Sequence, residues 1–403
     1  MHIPSERVYR EMRSEEASLW IVPANGGAEI AFLVKAPTSS IKALFAGCPM
    51  EFLLGKKGSY LCHGVRIHDS PDAPLLISGA VRVREEMLAI QRLAKDRQSA
   101  LFLFNEMDVC LGWTNLEFIE KDAEAIYTLV GSFESLQVGS FDRDFAHALD
   151  CFCYSTDTTQ SYPDAALVPL ASIRLNLEPW RANRNHFIGL RESHVIEIDD
   201  LNEGDILERA IWASLESVFP LTLYKSPLVQ IGEKKRELTD VLSFHKYGNF
   251  LIESKDLSIL GSGFERSQAR RISGVQKQVT KAIKQLVGAC KAISRGEKIF
   301  DQNGIELAVV RDQPSHCIVL ITELEHSGDW SEITRDLMTS MEATGAFFHV
   351  IDLREFIALL KGSLGGAELL DYNLMERCKR FVEVRDVHIR SQFAPNKQNQ
   401  ADA

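Results

Sequence analysis

Two hydrophobic periods alternate along the second half of the chain, and their order predicts its elements. From 205 to 219, Leu207, Ile211, Leu215 and Val218 recur at the spacing of one helix face, and Pro220 stops the pattern. Short segments at 227–231, 236–245 and 249–256, bounded by turn residues, are expected as strands. The last of these is apolar on both parities over 250–252, which predicts a central strand covered on both faces. A long helix follows over 270–293, where Ile272, Val275, Val279, Ile283, Leu286, Cys290 and Ile293 form one stripe. Strands at 306–310, 317–323 and 346–351 and helices at 330–342, 353–361 and 367–380 complete the pattern. Helix, three strands, helix, strand is the order α-β-β-β-α-β.

The first half mixes the same periods less regularly. Strands are expected at 19–22, 29–34, 41–45, 60–67, 99–105 and 109–118, and helices at 81–95, 121–130 and 141–151. Residues 1–16 are densely charged and are expected to be only partly ordered. Ser, Thr, Pro and Asn become frequent over 155–195, which places a domain boundary there. The division expected is an N-terminal α+β domain over 1–190, a second domain with a mixed central sheet over 195–390, and a disordered polar tail over 391–403. The first domain shows no repeat and no motif that carries chemistry.

Composition narrows this modestly. A chain of 403 residues with 45% hydrophobic and 25% charged residues has material for two buried cores. No apolar run reaches the roughly 18–20 residues of a membrane span, and the first residues lack the apolar stretch of a signal peptide, so a cytoplasmic protein without membrane contact is expected. The eight cysteines are scattered, Cys151 and Cys153 being the one close pair, and read as free thiols. The net charge of −11 argues against binding polyanions over the whole surface. One window reverses it: from Phe264 to Lys298 nine Lys or Arg stand against Glu265 and Glu297, a local net of +7.

Chemistry concentrates at Asp240 and at Glu253-Ser254-Lys255. Residues two apart on a strand share a face, so Glu253 and Lys255 project together. Leu238, Val241 and Leu242 around Asp240 predict a mid-strand position, where aspartate is disfavoured unless it has a task. If the two strands are neighbours, two carboxylates and an ammonium converge at a sheet edge. Such oxygen ligands suit Mg²⁺ or Mn²⁺, which keep several waters and take only one or two carboxylates from a protein.

An acid on one strand, then acid-x-Lys on the next within the α-β-β-β-α-β order, resembles the PD-(D/E)xK superfamily with its restriction-endonuclease-like fold. The resemblance covers about residues 200–325. The proline usual before the first acid is replaced by Thr239. It implies a metal-dependent phosphodiesterase in which Asp240, Glu253 and the Ser254 carbonyl hold one or two Mg²⁺ or Mn²⁺, with Glu208 assisting. Lys255 then orients or deprotonates the attacking water. The usual product of the superfamily carries a 5′-phosphate. Gln278 is similar in place to a glutamine that some members carry on this helix, although Ala282 stands where their tyrosine would be. Arg270, Arg271, Lys277, Lys281, Lys284 and Lys291 are the expected phosphate contacts, the alternative being a lysine-rich solvated helix face. The partner expected is double-stranded DNA, cut internally. RNA, exonucleolytic cutting, or a non-catalytic interaction protein of the same fold are the other readings. Recognition of DNA, of a protein partner or of a second copy falls to the N-terminal domain. Prokaryotic restriction or phage defence is the setting that analogy offers.

Overall fold

A computed structural model of the chain describes residues 4–158, 162–256, 264 and 267–391; the tail from 392 and Arg266 lie outside the described residues. The fold is α+β, with mixed sheets. The chain divides into two compact units, one of Met1–Arg184, Glu197–Asp199 and Ile259–Gln268, the other of Asn185–Ile196, Asp200–Ser258 and Ala269–Ala403. Among the described residues no helix is long and apolar enough to cross a membrane.

The first unit opens with helix α1 (Glu6–Ser14), where partial order was expected. Ser5 caps it through its hydroxyl, Arg7 pairs with Glu11, and Val8 and Met12, one turn apart, are its buried anchors. Two anchors among seven polar residues are too few for a periodic signal. Strands β1 (Ser18–Ala24) and β2 (Glu29–Lys35) form a hairpin. Helix α2 (Thr38–Phe45) stands where a strand was expected at 41–45. Ser39 to Leu44 are buried on every side, so no amphipathic period was there to read, and the Glu106 carboxylate satisfies the Thr38 N–H and hydroxyl at its first turn. Strands β3 (Met50–Lys57), β4 (Tyr60–Ile67) and β5 (Leu75–Ala80) make an antiparallel sheet, closed on the β3 side by β8 (Leu170–Arg174). Helix α3 (Arg84–Asp96) leads to β6 (Gln98–Phe104) and β7 (Cys110–Glu117), which extend the β1–β2 sheet. Helices α4 (Glu120–Val130) and α5 (Arg143–Thr156) and the two-residue strands β9 (Asn176–Leu177) and β10 (Arg181–Ala182) complete the unit.

The second unit begins with the hairpin β11 (Asn185–Ile188) and β12 (Ser193–Ile196), then helix α6 (Glu203–Glu216) and strand β13 (Leu223–Lys225). The segment expected as a strand at 236–245 is not one strand. Its first part belongs to a hairpin of β14 (Leu228–Ile231) and β15 (Lys234–Glu237), and its second is β16 (Val241–His245). Between them Leu238 turns into the core and the chain crosses from the small sheet to the central one. Strand β17 (Gly248–Lys255) is followed by helix α7 (Gln268–Ser294), strand β18 (Ile299–Phe300), strand β19 (His316–Ile321), helix α8 (Ser331–Thr344), strand β20 (Phe347–Asp352), helix α9 (Leu353–Gly362) and helix α10 (Ala367–Val384). The central sheet runs β13-β16-β17-β19-β20, antiparallel as far as β17 and parallel from there on. Strand β17 is therefore the middle strand. With β14, β15 and β18 set aside as a small sheet of their own, the order is α-β-β-β-α-β, but its first strand is β13 and not the segment expected at 227–231, which is β14.

Leu251, Cys317, Val319 and Ile321 on one face of this sheet pack against the apolar stripe of α7. On the other face Phe250 meets Phe219, which follows α6, with ring centroids 4.9 Å apart. The strand expected at 306–310 does not form. Leu307 and Val309 are buried in alternation, but it is the Asn249 side chain that serves the Val310 backbone, donating to its carbonyl and accepting from its N–H. The segment's contact with β18 is limited to a bridge between Glu306 and Phe300 and the Leu307 N–H donating to Ile299 O, too little for a ladder.

Candidate active site

Strand β17 ends in the acid-x-Lys doublet. Glu253, Ser254 and Lys255 lie in register with Val319, Leu320 and Ile321 of the parallel strand β19. On its other side β17 pairs with β16, Val241 opposite Ile252. Asp240 sits just before β16 and not inside a strand as its flanks implied. The Ser226 N–H donates to its carbonyl at 2.7 Å, and the Thr239 hydroxyl donates to Ile252 O at 2.7 Å, fixing the crossing segment against β17. The site thus lies at the C-terminal end of the middle strand, not at a lateral edge of the sheet.

The three groups do come together. Lys255 Nζ lies 2.9 Å from Glu253 Oε2 and 3.4 Å from Asp240 Oδ2. Asp240 Oδ2 also accepts from the Ser254 N–H at 2.7 Å and its hydroxyl at 3.2 Å. A strand residue exchanges both its N–H and its C=O with the same neighbour, so the Ser254 carbonyl is turned toward the Asp240 side as well. Glu253 is buried, only 1% exposed, whereas Asp240 and Lys255 are half-buried. Burial, and then the Asp240 charge, push the Glu253 carboxyl up to about 7 against the relief that Lys255 gives. Burial works against the charge on Lys255 too, but Asp240 and Glu253 outweigh it and hold the ammonium above its ordinary pKa.

Glu208, on α6, stands within electrostatic range of Asp240. Burial first, and Asp240 among the other causes, raise its pKa, and Lys225 of β13 binds it at 3.3 Å. The same Lys225 holds Asp205 at 3.0 Å, and Asp205 also pairs with Arg209. Sequence reasoning missed Lys225 because a three-residue strand leaves no period to read. Glu237 is exposed, as is every residue of β15.

On α7, Lys277, Lys281, Lys284 and Lys291 are exposed and have no carboxylate partner among the described residues, and Arg270 is exposed. Arg271 differs: only 11% of its side chain is exposed, and it pairs with Glu323 at 3.4 Å and Glu325 at 3.5 Å. Those acids follow β19 and are remote in sequence, so nothing local announced the pairing. Gln278 is exposed and does not border Glu253. Gln285, two turns further along the helix, lines a crevice that reaches Glu253, together with Lys284, Gly288, Arg236 and Glu237.

Among the described residues no group of three or more His, Cys, Asp or Glu is placed to hold a metal ion. Asp240 and Glu253 remain as a pair of carboxylates, supplemented by a carbonyl. That set fits a cation of the Mg²⁺ kind, which needs one or two carboxylates and fills its sphere with water. It does not fit zinc, which takes His and Cys ligands in a closed tetrahedron. No family model matches the chain, and no curated protein or solved structure is significantly similar to it.

Proposed function

We propose that the protein is a metal-dependent nuclease of the PD-(D/E)xK kind that hydrolyses phosphodiester bonds, with DNA as its first substrate. One observation carries the reading: two carboxylates share one lysine at the end of the middle strand, and burial leaves Glu253 short of positive charge. A crowded, desolvated acid pair beside a lysine is the arrangement expected where a divalent cation completes the charge balance. Asp240 and Glu253 would hold Mg²⁺ or Mn²⁺ with the Ser254 carbonyl, and Glu208, released by Lys225, would reach it through water. The bound ion supplies charge neutralisation at the scissile phosphate and a more acidic water.

The chain's own residues do the rest. The Lys255 ammonium, held charged by its acids, donates hydrogen bonds and stabilises the anionic oxygens of the phosphate as the bond breaks. Asp240 and Glu253, which hold it charged, are the acids that the cation would engage, and with them so engaged Lys255 orients or deprotonates the attacking water. Binding of a cation favours the ionised form of Glu253, so affinity rises with pH as that group loses its proton.

The full chain, assayed on plasmid DNA, single strands and RNA with Mg²⁺, Mn²⁺ or EDTA, is expected to cut only with metal. Asp240→Ala and Glu253→Ala should each lower cleavage by several orders of magnitude without lowering the melting temperature. Saturating Mg²⁺, at about 100 times its Kd, should stabilise the wild type by about 2.7 kcal/mol and neither variant. Full activity in either variant sinks the assignment.

A further inference from the structure

The crevice beside Glu253 is built from parts that the candidate chemistry leaves unused. Its volume is about 280 Å³. One wall is the β14–β15 hairpin with Arg236 and Glu237, the floor is the crossing segment at Leu238 and Thr239, and the other wall is one turn of α7. On that turn Lys284 and Gly288 are four residues apart and so lie one above the other. A Cβ at Gly288 would meet nothing within 4 Å, which leaves the helix backbone open to close approach. The side chains of Arg236, Lys284 and Gln285 make no hydrogen bond or ion pair among the described residues. Three unengaged donors, two of them cationic, thus face one crevice next to a candidate phosphodiester site.

We propose that this crevice receives a single unpaired nucleotide next to the bond that is cut, an inference that rests on the phosphodiesterase reading. Arg236 and Lys284 take its phosphate, Arg236 as a planar fork and Lys284 as a point charge. The Gln285 amide, donor and acceptor at once, meets the base edge. The base lies against the bare helix at Gly288. At about 280 Å³ the crevice is slightly below the roughly 300–1,000 Å³ usual for small-molecule clefts. It has room for one nucleotide and none for a base pair. The substrate is therefore a strand with an unpaired nucleotide at the site, whether a single strand, a frayed end or an extruded base, and not continuous duplex.

The test uses the full chain and a nucleoside 5′-monophosphate as probe, titrated by calorimetry without metal, alongside cleavage of matched single-stranded and blunt duplex oligonucleotides. The probe should bind one to one. Arg236→Gln with Lys284→Gln should weaken it at least tenfold. Gly288→Leu should abolish binding while the fold stays intact, because Leu is a better helix former than Gly. Arg335→Gln, exposed on α8 and outside both the crevice and the basic face of α7, should leave probe affinity within twofold. Single strands should be cut faster than blunt duplex, and Gly288→Leu should remove that preference. No probe binding, or binding unchanged by Gly288→Leu, overturns the proposal, and so does equal cutting of blunt duplex and single strand. If the probe binds as described but no substrate is cut, the nucleotide site stands and the phosphodiesterase reading falls.

Discussion

Two buried acids at the same end of the central sheet have opposite surroundings. Lys255, Ile321 and Asp352 lie in one row across β17, β19 and β20. Asp352, 1% exposed, accepts both arms of the Arg390 guanidinium at 2.6 and 2.5 Å and the Glu355 N–H at 2.9 Å, capping α9. Burial alone would raise its pKa, but Arg390 prevails and the carboxyl is held below its usual range. Glu253, equally buried, has a share of one lysine and the Asp240 carboxylate for company, and its pKa is pushed up to about 7. The first acid is closed by a matched fork of donors. The second is left with more negative than positive charge around it. A fold that brings an arginine to one acid and a second carboxylate to the other uses them differently, the first as structure and the second as an open position for a cation.

The comparison breaks first on stability. Asp352→Ala takes the buried carboxylate from the partly exposed Arg390 guanidinium and removes the α9 cap, and removing one partner of a buried pair costs at most about 3–5 kcal/mol. Urea unfolding should show this loss. A cost below about 1 kcal/mol would mean that the pair is ordinary surface charge.

Glu253→Gln should move the other way and depend on pH. A carboxyl whose folded pKa lies above its unfolded value binds more protons when folded, so its contribution to stability falls as pH rises from 4.5 through about 7 and is flat beyond. Without metal, the glutamine variant should match the wild type near pH 4 and exceed it by a few kcal/mol at pH 8, each tenfold in proton affinity being worth about 1.4 kcal/mol. Thermal melts at both pH values measure the difference, and a gap that does not widen with pH would remove the frustration from Glu253.

The smallest effect sharpens the charge argument on α7. Replacing Lys277, Lys281, Lys284 and Lys291 together by Gln should weaken nucleic-acid binding alike at every sequence. It should also flatten the salt slope by roughly 0.9 per lost phosphate contact on duplex, or about 0.7 on single strands. Arg271→Gln, whose guanidinium is already paired with Glu323 and Glu325, should leave the slope unchanged and act on stability instead. Binding isotherms from about 50 to 200 mM salt separate the two.

Local periodicity carried much of this molecule. The α+β class, the long helix and its apolar stripe, the covered middle strand and the common face of Glu253 and Lys255 all follow from residues within one element of each other. Helix α2 did not, because burial on every side erases the period that would have marked it. What the sequence could not decide is who meets whom. Asp240 reaches Lys255 because the chain leaves the β14–β15 hairpin at Leu238 and enters the central sheet at Val241, a break that no Gly or Pro marks in the sequence. Arg271 is withdrawn from the basic face by acids some fifty residues on, and Arg236 and Gln285 line one crevice only because the hairpin folds against α7. Side-chain period reports which face of an element is buried. The partner across that face is set by strand order and loop closure, which depend on the whole chain at once.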